Sequence, residues 1–184
     1  MGAYVALLRG VNVGGKVAKM ETVRASFEAL GFAGVSSYVQ SGNLLFQAKA
    51  GSEAALAKKI AARLGKDIGF APSVLVLSAA DLARLVAENP LLKDKGIDQT
   101  KLHVTFLDGP APAAGLKKME GFASARERFV CRGTTIYLYC PDGYGRSKLT
   151  NNVFERALKV GATTRNWKTV TTLSSMLAEA NSER

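Results

Sequence analysis

The sequence predicts an α+β fold made of two ferredoxin-like units in tandem, the second of them modified with a C-terminal helix. Over residues 1–78 the apolar patterns follow the order strand, helix, strand, strand, helix, strand, which is the β-α-β-β-α-β order of a ferredoxin-like unit. The order strand, helix, strand, strand, helix then recurs after a polar connector. The predicted organisation is a first unit over 1–78, a helix and connector over 79–100, and a second unit over 101–184.

The elements of the first unit follow from the spacing of its apolar residues. Residues 4–9 predict a strand that is apolar on both alternating sets, which favours a strand covered on both faces. Residues 19–30 predict an amphipathic helix, because their apolar residues recur at intervals of three and four. The remaining predictions are a strand over 35–40, a turn over 41–43, a strand over 44–47, a helix from Ser52 to about Leu64, and a strand over 73–77.

The second unit repeats this order but shows no obvious final strand. The short helix over 79–88 should end at Asn89-Pro90, because the residue before a proline avoids helical geometry. The chain near its end instead predicts a helix that is capped by Asn166 and contains Trp167. The other predictions are a strand over 101–107, a short helix after Pro110 and Pro112, a hairpin of 128–132 with 135–140 around Gly133, and a helix over 150–159.

Composition narrows the class of protein. The chain has 184 residues, of which 47% are hydrophobic, so it can bury a real core. No apolar run is long enough to cross a membrane, and the first one stops at Arg9, too early for a secretory signal. Two cysteines, Cys131 and Cys140, make no disulfide framework and are expected as buried thiols on strands. We therefore expect a cytoplasmic protein without metal or other cofactor, and a monomer or weak dimer.

The charge is unevenly distributed along the chain. The net charge is +10, and residues 115–170 hold eleven Lys and Arg against four acids. Such a basic half could attract a nucleic-acid backbone. It could equally be a solvated surface that keeps the protein soluble, and the sequence leaves both interpretations open.

A glycine-rich loop over 9–16 follows the first predicted strand and precedes the first helix. Backbone N–H groups in such a loop, together with two cations, suit an anion. A plain β-to-α connection, with glycines supplying positive φ, explains the loop equally well. The residues proposed to contact a ligand here are Arg9, Asn12, Gly14, Gly15 and Lys16.

Two nucleotide-binding motifs are excluded at this loop. Gly10, Gly15 and Lys16 have the G-x-x-x-x-G-K spacing of a P-loop, but Val17 stands where a magnesium-binding Ser or Thr is required. The dinucleotide pattern fails because Asn12 replaces its second glycine. The predicted order of strands and helices also differs from that of a P-loop enzyme.

The turn over 41–43 should lie beside this loop. In a ferredoxin-like sheet, the first two strands run parallel and the third lies antiparallel between them. The first β-to-α connection and the turn between strands two and three therefore meet at one end. Ser41 and Asn43 would then add hydrogen-bonding groups to the site, although Ser-Gly-Asn is also an ordinary hairpin turn.

A second candidate cluster lies in the basic half. Cationic and hydroxyl side chains before a helix suit phosphate, and Trp167 could stack on a ring. The alternative is that Ser147 caps the helix and Trp167 packs in the core. The residues of this cluster are Arg146, Ser147, Lys148, Arg165, Asn166 and Trp167.

Four separated motifs together resemble a known family. They are residues 4–15, the Gln40-Ser41-Gly42-Asn43 turn, Gly145-Arg146-Ser147-Lys148-Leu149, and Thr163-Thr164-Arg165-Asn166-Trp167. The chain resembles the bacterial domain-of-unknown-function 1697 family over essentially its whole length. The resemblance implies a cytoplasmic α/β protein and carries over no catalytic residue or cofactor.

Three functions remain open at this point. The first is binding of a small anionic or phosphorylated ligand at the loop 9–16 and the turn 41–43. The second is nucleic-acid binding by the basic half, and the third is a protein–protein interaction module without a ligand. No reaction class is supported, because His103 stands alone in a predicted strand and the acids show no pairing that suggests acid–base chemistry.

Overall fold

The computed structural model describes residues 1–39 and 42–182. This part of the chain forms eight strands and six α-helices, in an order that contains β-α-β-β-α-β twice. The elements are β1 (Gly2–Arg9), α1 (Met20–Glu28), β2 (Ala33–Tyr38), β3 (Asn43–Ala48), α2 (Glu53–Asp67), β4 (Ser73–Ser78), α3 (Ala79–Ala87), β5 (Leu102–Leu107), α4 (Ala113–Glu120), β6 (Arg128–Arg132), β7 (Thr135–Tyr139), α5 (Asn151–Leu158), β8 (Ala162–Asn166) and α6 (Trp167–Ser182).

The first sheet has the strand order β2-β3-β1-β4, with antiparallel neighbours throughout. Its register pairs Leu7 with Asn43 on one side of β1 and Arg9 with Ser73 on the other. Both alternating sets of β1 are buried from Ala3 to Leu8, as its continuous apolar run predicts.

The core of this unit lies between one face of the sheet and the helices α1 and α2. Phe27 of α1 and Phe46 of β3 meet edge to face, with ring centroids 5.3 Å apart, and Phe32 stacks on Phe46 at 4.7 Å. Ile60 and Leu64 of α2 are fully buried in the same cluster. Ser52 caps α2 as predicted, since its hydroxyl accepts a hydrogen bond from the Ala55 N–H.

The second sheet repeats this topology, with the strand order β6-β7-β5-β8. Helices α4 and α5 cover one face, and their core includes Met119, Ile136, Leu138 and Phe154. Cys131 pairs with Ile136 across the hairpin, which is the register expected from a turn at Gly133.

The second unit has a final strand, which the sequence analysis did not predict. Residues 162–166 form β8, which pairs antiparallel with β5. The segment is hard to recognise because four of its five residues, Thr163, Thr164, Arg165 and Asn166, are polar and none is a large apolar residue. Its two threonines were the available signal, since β-branched residues favour strands. The α+β class and the two tandem ferredoxin-like units are confirmed, and the second unit is complete.

The chain divides into two compact units. One contains residues 1–84 together with the described residues from 172 onward, and the other contains residues 85–171. The terminal helix α6 therefore contributes its first residues to the second unit and the rest to the first. The predicted limits of the independently folding units, with the first ending at residue 78 and the second beginning at residue 101, stay a prediction.

Candidate functional site

The glycine-rich loop is a miniature hairpin. The Asn12 N–H donates to the Lys16 carbonyl at 2.7 Å, and the Lys16 N–H donates to the Val13 carbonyl at 3.1 Å. Gly14 and Gly15, at φ of 57° and 81°, form the tip, where a residue with a side chain would be strained. The geometry of the turn therefore explains these glycines, as expected for a plain β-to-α connection.

Asn12 has a clear local role. It adopts a φ of 59°, which asparagine tolerates better than most residues, and its side-chain oxygen accepts a hydrogen bond from the Ala18 N–H at 2.9 Å. This contact fastens the loop ahead of α1, which has no side-chain cap of its own at Lys19. Asn12 thus shapes the loop through its side chain.

Two cations of the loop line one cleft, which we call the cationic cleft. Its volume is about 230 Å³, and none of the described residues that line it is acidic. The Lys16 ammonium nitrogen also lies 5.8 Å from the centroid of the Phe70 ring. The lining residues are Arg9, Gly10, Lys16, Phe70, Ala71, Pro72 and Ser73.

One wall of this cleft, residues 70–73, was not predicted from the sequence. Residues 70–73 lead into β4, and β4 pairs with β1 so that Ser73 faces Arg9. The signal was available in the predicted topology, because the fourth strand of a ferredoxin-like sheet lies beside the first and runs antiparallel to it. The start of β4 therefore meets the end of β1.

The turn meets the end of β1, but on the side away from β4. The Leu8 N–H donates to the Gly42 carbonyl at 2.7 Å. Asn43 is fully buried, and its side-chain nitrogen donates to the Tyr38 carbonyl at 3.2 Å, so it supports the turn rather than a ligand surface. Ser41 lies outside the described residues.

The first half of the second cluster does not begin a helix. Arg146 ends a short 3₁₀ turn, and Arg146 and Lys148 are exposed. The Ser147 hydroxyl accepts a hydrogen bond from the Leu149 N–H at 2.9 Å. Helix α5 is capped instead by Thr150, whose hydroxyl accepts from the Val153 N–H. The alternative that Ser147 caps this helix is therefore wrong, because α5 begins at Asn151 with Thr150 as its cap, and the phosphate site at residues 146–148 stays a prediction.

In the second half of the cluster Trp167 is buried, Arg165 is half-buried and Asn166 is exposed. Burial lowers the pKa of Arg165 to about 10, and its guanidinium donates to the Thr164 carbonyl at 2.9 Å. Asn166 caps α6 as predicted, because its side-chain oxygen accepts a hydrogen bond from the Thr169 N–H. Trp167 is only 4% exposed, so the core-packing interpretation describes it and stacking on a nucleic-acid base does not.

His103 lacks the surroundings of a catalytic base. Its ring stacks on Tyr144 with centroids 4.8 Å apart, and its Nδ1 lies 3.3 Å from the Lys101 carbonyl. Burial lowers its pKa, and the contact to that carbonyl opposes the shift. These neighbours orient the ring and supply no nucleophile.

Neither thiol is activated. Cys140 is fully buried just after β7, and burial raises its pKa to about 11. Cys131 is partly exposed on β6, and burial raises its pKa as well. Since the thiolate is the reactive form, neither is suited to nucleophilic chemistry at neutral pH.

The described part of the chain contains neither a cluster of metal ligands nor a helix suited to cross a membrane. Within residues 1–39 and 42–182, no group of three or more His, Cys, Asp or Glu side chains is placed to hold a metal ion. No described helix combines the length and the apolar character that a membrane crossing requires.

The chain belongs to the family of proteins of unknown function DUF1697, whose family model matches residues 1–137. The predicted resemblance is thereby confirmed, although the motifs at 145–149 and 163–167 lie beyond the matched residues. The fold is similar to that of a conserved bacterial protein from Streptococcus pneumoniae, with a TM-score of 0.75 and 24% identity over 96% of this chain and 98% of that one. A comparison with curated proteins gave no match.

Proposed function

We propose that this protein binds a small phosphorylated or otherwise multiply anionic ligand in the cationic cleft. The observation that carries the proposal is that Arg9 and Lys16, seven positions apart in sequence, line one cleft whose other described lining residues carry no charge. Of the residues predicted for the site, these two line the cleft, and Gly10, which was not among them, lines it as well.

The charge of the lining favours a dianion over a monoanion. Two cationic side chains give the lining a formal charge of +2, which a phosphate group can match. Guanidinium and ammonium groups both bind phosphate oxygens, the first through a planar fork and the second as a point charge. Phe70 and Pro72 add apolar surface for the part of the ligand that carries no charge.

A thermal-shift comparison tests the proposal. Wild type, Arg9→Gln, Lys16→Gln and the double variant are heated with orthophosphate, pyrophosphate, a nucleoside monophosphate and a sugar phosphate. Ligand at about 100 times its Kd stabilises a protein by about 2.7 kcal/mol, which is a shift on the order of 5 °C here. We expect the shift in wild type, a smaller shift in each single variant and none in the double variant.

The matched control is Lys58→Gln, which removes one exposed positive charge from α2 in the same unit. Phosphate salts stabilise many proteins non-specifically, so the evidence is the difference between variants. Equal shifts in wild type, the control and the double variant would refute the site.

Nucleic-acid binding by the basic half is the second candidate. Exposed Arg146 and Lys148 lie close together in the sequence and could contact a phosphate backbone. A stacking platform on a sheet is not available at the central strands, because Val5, Leu7, Val104 and Phe106 are all 2% exposed or less. This candidate predicts affinity for short RNA that falls steeply with salt and is lost in Arg146→Gln with Lys148→Gln.

A further inference from the structure

Strand β2 has an open edge in the first sheet. It lies at one end of the strand order and pairs with β3 on its other side. The Leu8 N–H donates to the Gly42 carbonyl, so even-numbered residues of β3 direct their backbone groups to β1 and odd-numbered residues direct theirs to β2. Leu45 therefore bonds to its partner Ser36, and the next residue, Ser37, directs its N–H and carbonyl groups to the open edge.

None of the residues of β2 is charged. Natural proteins often protect edge strands with charged side chains, and β6 fits this pattern because Arg128 and Arg132 at its two ends are exposed. Strand β4 is also uncharged, but its Ser78 N–H donates to the Glu53 carboxylate at 2.6 Å, and Val76 is only 4% exposed. The edge of β2 is therefore uncharged and accessible, the combination that favours pairing with another strand.

A cavity of about 210 Å³ opens beside this edge. Gly34 and Ser36 of β2, both exposed, line it together with residues of β1, β3 and α6 that belong to the same unit. Leu45 and Met176 give it apolar walls. A Cβ atom at Gly34 would meet the Gln47 side chain at 3.6 Å and nothing closer outside its own chain neighbours, so the space beside Gly34 can receive a side chain from another strand.

We propose that β2 pairs antiparallel with β2 of a second copy of this chain, and that Tyr38 of each copy enters the cavity of the other. A two-fold axis at Ser36 places Val35 opposite the partner's Ser37 and Gly34 opposite the partner's Tyr38. The Tyr38 side chain lies on the same face of the strand as that of Ser36, two positions away, and Ser36 lines the cavity. An aromatic ring opposite a glycine is a known stabilising pair in sheets.

Arg24 selects this register. Its guanidinium donates to the Ser37 hydroxyl at 3.0 Å, so an axis at Ser37 would place two cations directly opposite each other, which is destabilising. An axis at Ser36 offsets them. The register of β2 against β3 shifts between Ala33 and Ser36, which confines the shared ladder to residues 35–37. Such a contact lies below about 1,200 Å² of buried surface, and we therefore expect a dimer that dissociates on dilution.

Sedimentation equilibrium over a dilution series tests the pairing. Ser37→Pro removes the N–H at the open edge, where a strand tolerates proline, whereas Ser37→Ala keeps it. We expect a monomer–dimer equilibrium in wild type and Ser37→Ala, and association weaker by about tenfold or more in Ser37→Pro and in Tyr38→Ser. Phe122→Ser removes a 43% exposed aromatic ring from the other unit and should leave the dimer Kd within about twofold. Circular dichroism verifies that each variant is folded.

Disulfide trapping tests the register independently of those variants. In a Cys131→Ser background, Ser36→Cys places two thiols at the axis, where Cα atoms of a non-hydrogen-bonded pair lie about 4.5 Å apart, within reach of a disulfide. Ala54→Cys, on exposed surface of α2 in the same unit, is the matched control. We expect Ser36→Cys to form a covalent dimer about tenfold faster or more than Ala54→Cys, because the pairing holds its thiols together.

Four results would overturn the proposal. The first is a wild type that stays monomeric at its highest soluble concentration, in which case the edge of β2 pairs with a different partner or with none. The second is a dimer that Ser37→Pro leaves unchanged. The third is equal trapping of Ser36→Cys and Ala54→Cys, and the fourth is trapping of Ser37→Cys in place of Ser36→Cys.

Discussion

At the scale of single residues, the contact between Leu8 and Gly42 positions the turn against the end of β1. Gly42 has a φ of 76°, and a Cβ atom there would lie 3.0 Å from both the Cβ and the carbonyl oxygen of Leu8. Gly14, at the loop tip, has a φ of 57° but nothing within 4 Å of such a Cβ. The two glycines therefore share a backbone conformation and differ in crowding.

Gly42→Ala should be more damaging than Gly14→Ala. The left-handed conformation costs an L-residue on the order of 1–2 kcal/mol, and the close approach to Leu8 adds on the order of 1–3 kcal/mol. We expect Gly14→Ala to show the first cost alone. The free energy of unfolding in urea measures both, and equal losses would contradict the crowding at Gly42.

Asp67 gives the stability of the first unit an acid dependence. Its carboxylate accepts hydrogen bonds from the Ser26 hydroxyl and the Arg63 guanidinium, each at 2.6 Å. These bonds, that of Ser26 first, lower the pKa of Asp67 below its ordinary 3.8. A lowered pKa in the folded state means that the stabilisation is present above pH 3.8 and is lost as the pH falls through the folded value.

Asp67→Asn should therefore destabilise the protein at pH 7 and have progressively less effect below pH 3.8. Urea unfolding at several pH values between 7 and 2 measures the difference between wild type and variant. A difference that stays constant over this range would show that the carboxylate charge contributes nothing.

At the scale of elements, helices α4 and α5 approach each other closely at Gly115. A Cβ atom there would lie 2.6 Å from the Ala157 carbonyl oxygen and 2.8 Å from a Leu158 methyl carbon. Gly121, which follows α4, has an ordinary right-handed φ of −71° and only a 3.5 Å neighbour. The same substitution at these two positions should consequently have opposite effects.

Gly115→Ala should lower the free energy of unfolding by about 1–3 kcal/mol, because α4 and α5 must separate. Gly121→Ala should be neutral or stabilising by up to about 1 kcal/mol, because it restricts the unfolded chain. Thermal unfolding monitored by circular dichroism compares them. A stable Gly115→Ala variant would show that the two helices can adjust without cost.

Some of the strands and helices were predictable from the sequence, and others were not. β1 and β3, with their continuous apolar residues, and α2, with Ser52 as its cap, were predicted within a few residues. β8 was missed because the strand is polar and short. Its extended conformation depends on pairing with β5, which is distant in the sequence. Asn43 looked like a surface turn residue in the sequence and is buried in the structure, since burial depends on contacts distant along the chain.

At the scale of the whole molecule, the first unit contains a segment from the far end of the chain. Leu177 of α6 is fully buried and lines a small cavity together with Leu45 and Phe46 of β3. Leu158 of α5 is equally buried in the core of the second unit. The local spacing of apolar residues does not indicate contacts between segments so distant in the chain. The sequence-based prediction therefore placed α6 wholly in the second unit.

Leu177→Ala and Leu158→Ala form a matched pair that tests this division. Each should cost about 2–5 kcal/mol through loss of contacts and cavity formation. Hydrogen exchange should show lost protection in β1 and β3 for the first variant and in β5 and β7 for the second. Loss of protection in the second unit alone for Leu177→Ala would instead favour the predicted boundary at residue 101.

The candidate site was predictable only in part. Arg9, Gly10 and Lys16 stood out because cations and glycines follow a strand, whereas residues 70–73 have no distinctive composition. Their place beside Arg9 depends on the pairing of β4 with β1. The loop was thus predictable from the sequence, whereas the opposite wall of the cleft follows only from the sheet topology.

The most direct test of anion binding at the cationic cleft is an NMR titration of the ¹⁵N-labelled protein with pyrophosphate at constant ionic strength. Binding there predicts saturable shifts of the backbone amides of Gly10, Lys16 and residues 70–73, which are lost in the Arg9→Gln, Lys16→Gln double variant. Saturable shifts confined to residues 146–148, or shifts that never saturate, would contradict it.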